Sequence, residues 1–90
     1  MLFELGKIVA TPAVIEAMRL NNIDMVSLLT KHASGDWGMV CAEDKRENEL
    51  SVKNGWRILS SYPLNTTGDK VWVITEADRS STCFLLPDEY

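Results

Sequence analysis

The spacing of apolar residues changes near residue 55, and this change limits the folds open to the chain. Before it, apolar residues recur at helical spacing, as they do between Met25 and Leu29. After it the pattern is that of strands, most clearly in the run KVWVIT at 70–75. We therefore predict a single α+β domain of 90 residues. A mainly helical layer from 1–55 is expected to pack on a β-meander formed by 56–90.

Helix boundaries can be predicted from capping residues. Thr11 followed by Pro12 predicts a helix start, because Thr accepts a bond from a free N–H group and Pro at the first position loses no needed donor. Asp24 is the expected N-cap of a second helix, which Gly35 ends. A third helix is predicted over about residues 39–54.

The sheet is predicted to be mainly antiparallel, with three to four strands. Strands are expected at 56–62, 70–75 and 81–86, joined by polar turns, and residues 2–10 offer a fourth.

Charge and composition exclude several classes of partner. The net charge is −4, and the nine Lys and Arg are scattered among thirteen Asp and Glu, so direct nucleic-acid binding is not expected. No run approaches the roughly 18 apolar residues of a membrane span, and no signal peptide is predicted. The two cysteines show neither a disulfide framework nor metal-ligand spacing. We expect a cytoplasmic protein with reduced thiols, no metal and no cofactor.

Several stretches resemble a family of short bacterial proteins carried on plasmids, prophages and conjugative elements. These stretches are LGKIVATP, KHASGDWG, RILSSYPL and VWVITEADRSSTCFLLPDEY, of which ITEADRSST and LLPDEY are the most specific. The resemblance covers nearly the whole chain. It implies a mobile-element, cytoplasmic setting and brings no catalytic residues with it.

His32 is the only histidine, so a site built on two histidines is excluded. It falls near the predicted end of the second helix, where the helix dipole favours the charged imidazole. The structural interpretation is a partly buried side chain that caps the last carbonyls of its own helix. The functional interpretation is a proton donor or an anion contact.

One face of the predicted third helix carries small or polar residues: Cys41, Asp44, Asn48 and Ser51. Either Val40 and Leu50 form the inner side, which leaves Asp44 and Asn48 in solvent, or the polar groups point into a cleft. In a cleft, Asp44 near His32 would resemble a carboxylate-oriented imidazole.

Two further segments have both a structural and a functional interpretation. In the loop GDWG, Asp36 can cap the next helix while Trp37 anchors the core; alternatively, Trp37 is an exposed binding residue. In the turn 75–82, Glu76, Asp78 and Arg79 either stabilise the hairpin or form a recognition tip.

Two functions remain open at this point. The first is a non-catalytic module that binds a protein, as an accessory regulator or an inhibitor of a host defence system. Its expected contact residues are Asp36, Trp37, Trp72, Glu76, Asp78 and Arg79.

The second is a small hydrolase or ribonuclease. It would use His32 with Asp44, Arg57, Glu76 and Arg79, and it requires His32 to lie within about 10 Å of at least two of these residues. A homodimer is compatible with both functions, because small sheets often pair at an uncovered edge.

Overall fold

A computed structural model describes residues 1–90, which form three α-helices and one four-stranded sheet. In chain order the elements are β1 (Lys7–Ala10), α1 (Pro12–Leu20), α2 (Met25–Ala33), α3 (Ala42–Asn54), β2 (Ile58–Pro63), β3 (Lys70–Thr75), β4 (Ser81–Leu85) and a short 3-10 helix (Pro87–Glu89).

The strand order in the sheet is β1-β4-β3-β2. The last three strands form the predicted antiparallel meander, while β1 pairs in parallel with β4. The α+β class and the mainly antiparallel sheet are therefore confirmed. The fourth strand that residues 2–10 offered is β1, which precedes the helices and completes the sheet next to the last strand.

The first two helices begin where their capping residues predict. The Thr11 side chain accepts a hydrogen bond from the Val14 N–H group at 3.2 Å, and Asp24 accepts one from Val26 at 3.3 Å. Gly35 follows the end of α2 with φ +91°, the left-handed region in which glycine is favoured.

The third helix begins at Ala42 instead of residue 39, because residues 37–39 are held beside β2. The Ser61 N–H group donates to Trp37 O at 3.0 Å, and the Met39 N–H group donates to Ser61 O at 2.6 Å. Gly38 makes this approach possible, since a Cβ atom there would lie 2.0 Å from Ser61 O. The prediction that Asp36 caps α3 is wrong: its carboxylate accepts from Gly38, and Cys41 is the N-cap.

The inner side of α3 is polar, so each of the two alternatives for this helix is right only in part: Asp44 is exposed, but Leu50 does not form the inner side and Asn48 is not in solvent. Asn48 is only 4% exposed, whereas Leu50 is 47% exposed. The Asn48 amide donates to Leu59 O at 2.7 Å and accepts from the Leu59 N–H group at 3.1 Å. Asn48 therefore pairs with the outer edge of β2 in the way that a neighbouring strand would.

The core lies between the sheet and the first two helices. Its main cluster is Val14, Met18, Leu28, Tyr62, Leu64, Val71, Val73 and Phe84. A second cluster of Phe3, Trp37 and Ile58 lies at the end of the sheet near the start of β2.

The C-terminal segment is docked on the body of the protein. The Tyr90 ring packs edge-on against Trp72 with 5.8 Å between ring centroids, and the Tyr90 hydroxyl accepts a hydrogen bond from Arg57. The Glu89 carboxylate accepts from the Thr11 hydroxyl at 2.7 Å and from the Leu86 N–H group at 2.8 Å. These contacts hold the segment against both the start of α1 and the sheet.

Replacing Asn48 with Ala should lower the free energy of unfolding by about 2 kcal/mol, because the Leu59 N–H and C=O groups lose their partners. Urea denaturation followed by tryptophan fluorescence measures this loss. Asn54→Ala makes the same chemical change at an exposed position of the same helix and should cost no more than about 0.5 kcal/mol. Equal losses in the two variants would show that the Asn48 bonds do not secure this edge.

Candidate functional site

His32 lies at the centre of a chain of buried hydrogen bonds. It is fully buried, with Nδ1 2.5 Å from Ser60 Oγ and Nε2 2.9 Å from Thr75 Oγ1. Thr75 Oγ1 lies 2.7 Å from Thr82 Oγ1, which donates to Leu5 O at 2.7 Å. Because Ser60, Thr75 and Thr82 belong to β2, β3 and β4, the chain of bonds ties α2 to the three antiparallel strands.

The direction of these bonds follows from the single proton that each hydroxyl carries. Thr82 gives its proton to the Leu5 carbonyl, so its oxygen accepts from Thr75. Thr75 in turn accepts from the Nε2–H group of His32, which leaves Nδ1 to accept from the Ser60 hydroxyl. In its neutral form the imidazole is therefore protonated on Nε2.

The surroundings of the ring stabilise the neutral form. The Phe3 and Trp37 rings pack edge-on against the imidazole, at centroid distances of 5.3 and 6.1 Å. Burial lowers the pKa of His32 from its ordinary 6.5 to about 4. The prediction that His32 caps its own helix is wrong, since both ring nitrogens bond to strand residues.

Three of the residues predicted for an enzyme do lie near one another, on the outside of the protein. Arg57 forms a two-fold hydrogen-bonded ion pair with Glu76, with both N–O distances 3.2 Å. This hydrogen bonding raises the pKa of Arg57. Asp44 and Arg57 border the same small acidic cleft of about 280 Å³ between α3 and β2.

His32 does not line the cleft that Asp44 and Arg57 border. It is enclosed in the core, and its hydrogen-bond partners are the two strand hydroxyls. A substrate in the cleft beside Arg57 would therefore not meet the imidazole, so the structure does not bring together a histidine and a carboxylate for proton transfer.

Arg79 holds the β3–β4 turn against the end of α3. Its guanidinium donates to Trp56 O at 2.7 Å and to Ser51 O at 2.9 Å, and it lies 5.5 Å from the centroid of the Phe3 ring. Asp78 accepts from the Ser80 side chain and N–H group, which lowers the pKa of Asp78. These contacts match the interpretation in which polar side chains stabilise the turn.

The tryptophans predicted as contact residues differ in accessibility. Trp37 is 4% exposed and stacks on Phe3 with 6.2 Å between ring centroids, which matches its interpretation as a core anchor. Trp72 is only half-buried and borders the largest groove of the protein.

This groove, of about 680 Å³, lies between the end of α1, the 64–70 loop and the C-terminal segment. Its lining residues are Ala17, Leu20, Asn21, Leu64, Gly68, Asp69, Lys70, Trp72, Leu86, Pro87 and Asp88. Of these, sequence reasoning identified only Trp72. Leu20 carried one weak signal, as an apolar residue directly before Asn21 and Asn22, which are poor helix formers. Its exposure depends on how α1 is oriented on the sheet.

Comparison with known proteins finds no matching family model, no similar curated protein and no similar solved structure. No helix combines the length and the apolar character needed to cross a bilayer. No cluster of three or more His, Cys, Asp or Glu residues is arranged to hold a metal ion. The candidate site is the groove of about 680 Å³, which the fold forms from α1, β3 and the C-terminal segment.

The low pKa of His32 predicts that stability falls in mild acid. In the unfolded chain His32 binds a proton near pH 6.5, whereas in the folded chain it does so only near pH 4. The stability that is present above pH 6.5 is therefore lost as the pH falls from 6.5 to 4. The loss should be about 3 kcal/mol at the lower end. Urea denaturation of the native protein and of His32→Gln across this range measures it. If the two proteins lose stability in parallel, His32 is not the group responsible.

The hydrogen-bond direction predicts one tautomer. In a nitrogen-15 NMR spectrum at neutral pH, Nε2 of His32 should carry the proton and Nδ1 should show the shift of an unprotonated nitrogen. A proton on Nδ1 would contradict the assigned direction.

Thr82→Val removes the acceptor of the Thr75 hydroxyl. Although the side-chain volume is conserved, this change should lower the free energy of unfolding by about 1–3 kcal/mol.

Proposed function

We propose that this protein is a non-catalytic module that binds an apolar segment of another protein in the groove beside Leu20 and Trp72. The observation that carries the proposal is the groove itself, a concave surface with an apolar lining that the fold leaves open. In the mobile-element setting implied by the sequence resemblance, the partner is a host protein or one encoded by the same element. The module then acts as an accessory regulator or as an inhibitor of a host defence system.

The lining of the groove suits an apolar segment. Leu20 is 67% exposed at its border, and Trp72 and Leu86 present further apolar surface. Binding is favoured when a partner covers an exposed leucine and removes its apolar surface from water. An aromatic neighbour adds a large, rigid contact area. Binding sites concentrate their energy in a few side chains of this kind.

The rim of the groove suits a segment that also carries positive charge. Asp69 and Asp88 are exposed at the rim, where Lys70 is the one basic residue, and the whole chain has a net charge of −4. Asp88 forms no ion pair within the protein. A partner segment with apolar residues flanked by Lys or Arg would complement this surface and associate faster at low salt.

The hydrolase alternative has weaker support. Its acid–base group, His32, is enclosed, while Asp44, Arg57 and Glu76 lie outside and already include one ion pair. None of the five residues predicted for the hydrolase lines the groove.

Replacing Leu20 with Glu should abolish partner capture, because a carboxylate would then project into the apolar site. We expect a loss of about 2 kcal/mol or more, roughly 30-fold in affinity. The measurement is a tagged pull-down from a bacterial lysate, read by mass spectrometry, followed by titration of the purified partner. Val26→Glu is the matched control, since Val26 is 68% exposed on α2 and lies outside the groove.

A partner retained by Val26→Glu and lost by Leu20→Glu supports the proposal. A partner held equally by both variants binds elsewhere, and that result would overturn the groove as the site. The absence of any partner captured by the native protein, with circular dichroism confirming its fold, would count against the binding function itself.

A further inference from the structure

The two edges of the sheet differ in whether their outer backbone groups have partners. The outer edge of β2 is covered, since Asn48 pairs with Leu59 and the 37–39 segment pairs with Ser61. At the other end of the sheet β1 has one neighbour, β4. An uncovered edge presents unpaired N–H and C=O groups that can accept another strand.

The groups that point outward from β1 can be assigned from its pairing. The Lys7 and Thr11 N–H groups donate toward β4, to Ser80 O at 3.0 Å and to Phe84 O at 3.1 Å. In a strand the backbone groups of alternate residues point to the same side, so Val9 also faces β4. The N–H and C=O groups of Ile8 and Ala10 therefore face away from the sheet.

We propose that two copies of this chain pair through β1, antiparallel, with Val9 on the two-fold axis. In this register Ile8 of each copy lies opposite Ala10 of the other, and each such pair exchanges two hydrogen bonds. All outward-facing groups of β1 then have partners, and the two sheets become one continuous sheet. The interface is isologous, as in most homodimers.

The residues at both ends of β1 exclude the neighbouring registers. A shift in one direction places Ile8 opposite Pro12, which has no N–H group to donate and begins α1. A shift in the other direction places Ala10 opposite Gly6, whose φ of +64° takes it out of the extended conformation. The register centred on Val9 is the one that uses every outward donor and acceptor.

The side chains are compatible with this pairing. Val9 would lie opposite its own copy, and two β-branched residues form a favourable cross-strand pair. Ile8, which is 39% exposed, would be partly covered by Ala10 of the other copy. Lys7, the single charged residue of β1, would lie opposite Thr11 instead of the second Lys7, so no like charges meet. A second copy is therefore the occupant that suits this edge.

The pairing strand is short, so the dimer should be weak. An edge of this length buries well below the roughly 1,200 Å² of a stable interface, so the dimer should form only at high protein concentration. The proposal is independent of the groove, because no residue of β1 lines it.

A disulfide at the two-fold axis tests the register directly. Opposed residues that do not share hydrogen bonds have Cα atoms about 4.5 Å apart, within the disulfide range of about 4.4–6.8 Å. Val9→Cys should therefore form a disulfide-linked dimer under mild oxidation. The background is Cys41→Ser with Cys83→Ala, because Cys41 is exposed and Cys83 lies beside Val9 in the sheet.

Ile8→Cys in the same background is the matched control. It lies opposite Ala10 of the other copy instead of itself, so it should cross-link at least about tenfold more slowly, because its geometry prevents a symmetric bond. Equal cross-linking of both variants, or none in either, would overturn the proposal. Non-reducing gel electrophoresis and circular dichroism provide the readouts for linkage and fold.

Sedimentation equilibrium over a range of concentrations provides a second, independent measurement. Ala10→Pro removes an outward N–H group that has no partner within the chain, so the fold should persist while dimer formation is lost. Ala10→Ser keeps the N–H group and should dimerise like the native protein. Self-association of Ala10→Pro at the native level would overturn the proposal.

Discussion

The hydrogen-bond chain through His32 joins most of the elements of this fold. It begins at Ser60 on β2, passes through the imidazole at the end of α2, crosses β3 and β4, and ends at the Leu5 carbonyl just before β1. A neutral imidazole is suited to this position because it donates on one side and accepts on the other. Every buried polar side-chain atom in the protein has a partner, so the chain of bonds leaves no unmatched group in the thin core.

Polar side chains also attach α3 to the rest of the protein. This helix has a low apolar content and cannot bury a wide hydrophobic stripe. It is attached instead by the Asn48 amide, which pairs with Leu59, and by the Arg79 guanidinium, which reaches Ser51 O near its end. The Asn48 bonds also cover the outer edge of β2 at Leu59 and protect it from pairing with other strands. The edge of β1, in contrast, has no such cover within the chain.

The groove depends on the docked C-terminal segment. Glu89 holds this segment to Thr11, and Tyr90 packs on Trp72, so residues far apart in the sequence form its walls. The shape of the groove is therefore sensitive to the position of the segment. A change that displaces the segment would also displace Leu86, Pro87 and Asp88, which line the groove.

Local signals in the sequence were sufficient for the type and most of the bounds of the elements. Thr11 and Asp24 mark helix starts through bonds to residues two or three positions away, and KVWVIT at 70–75 is a strand by its own propensity. The burial of polar side chains could not be predicted in the same way. The burial of His32 and the inward turn of Asn48 depend on Ser60, Thr75 and Leu59, which are distant in sequence. A polar residue whose partner lies on another element looks the same in the sequence as one in solvent. Only the tertiary structure, by supplying those partners, decided which polar residues lie inside and which apolar ones remain exposed.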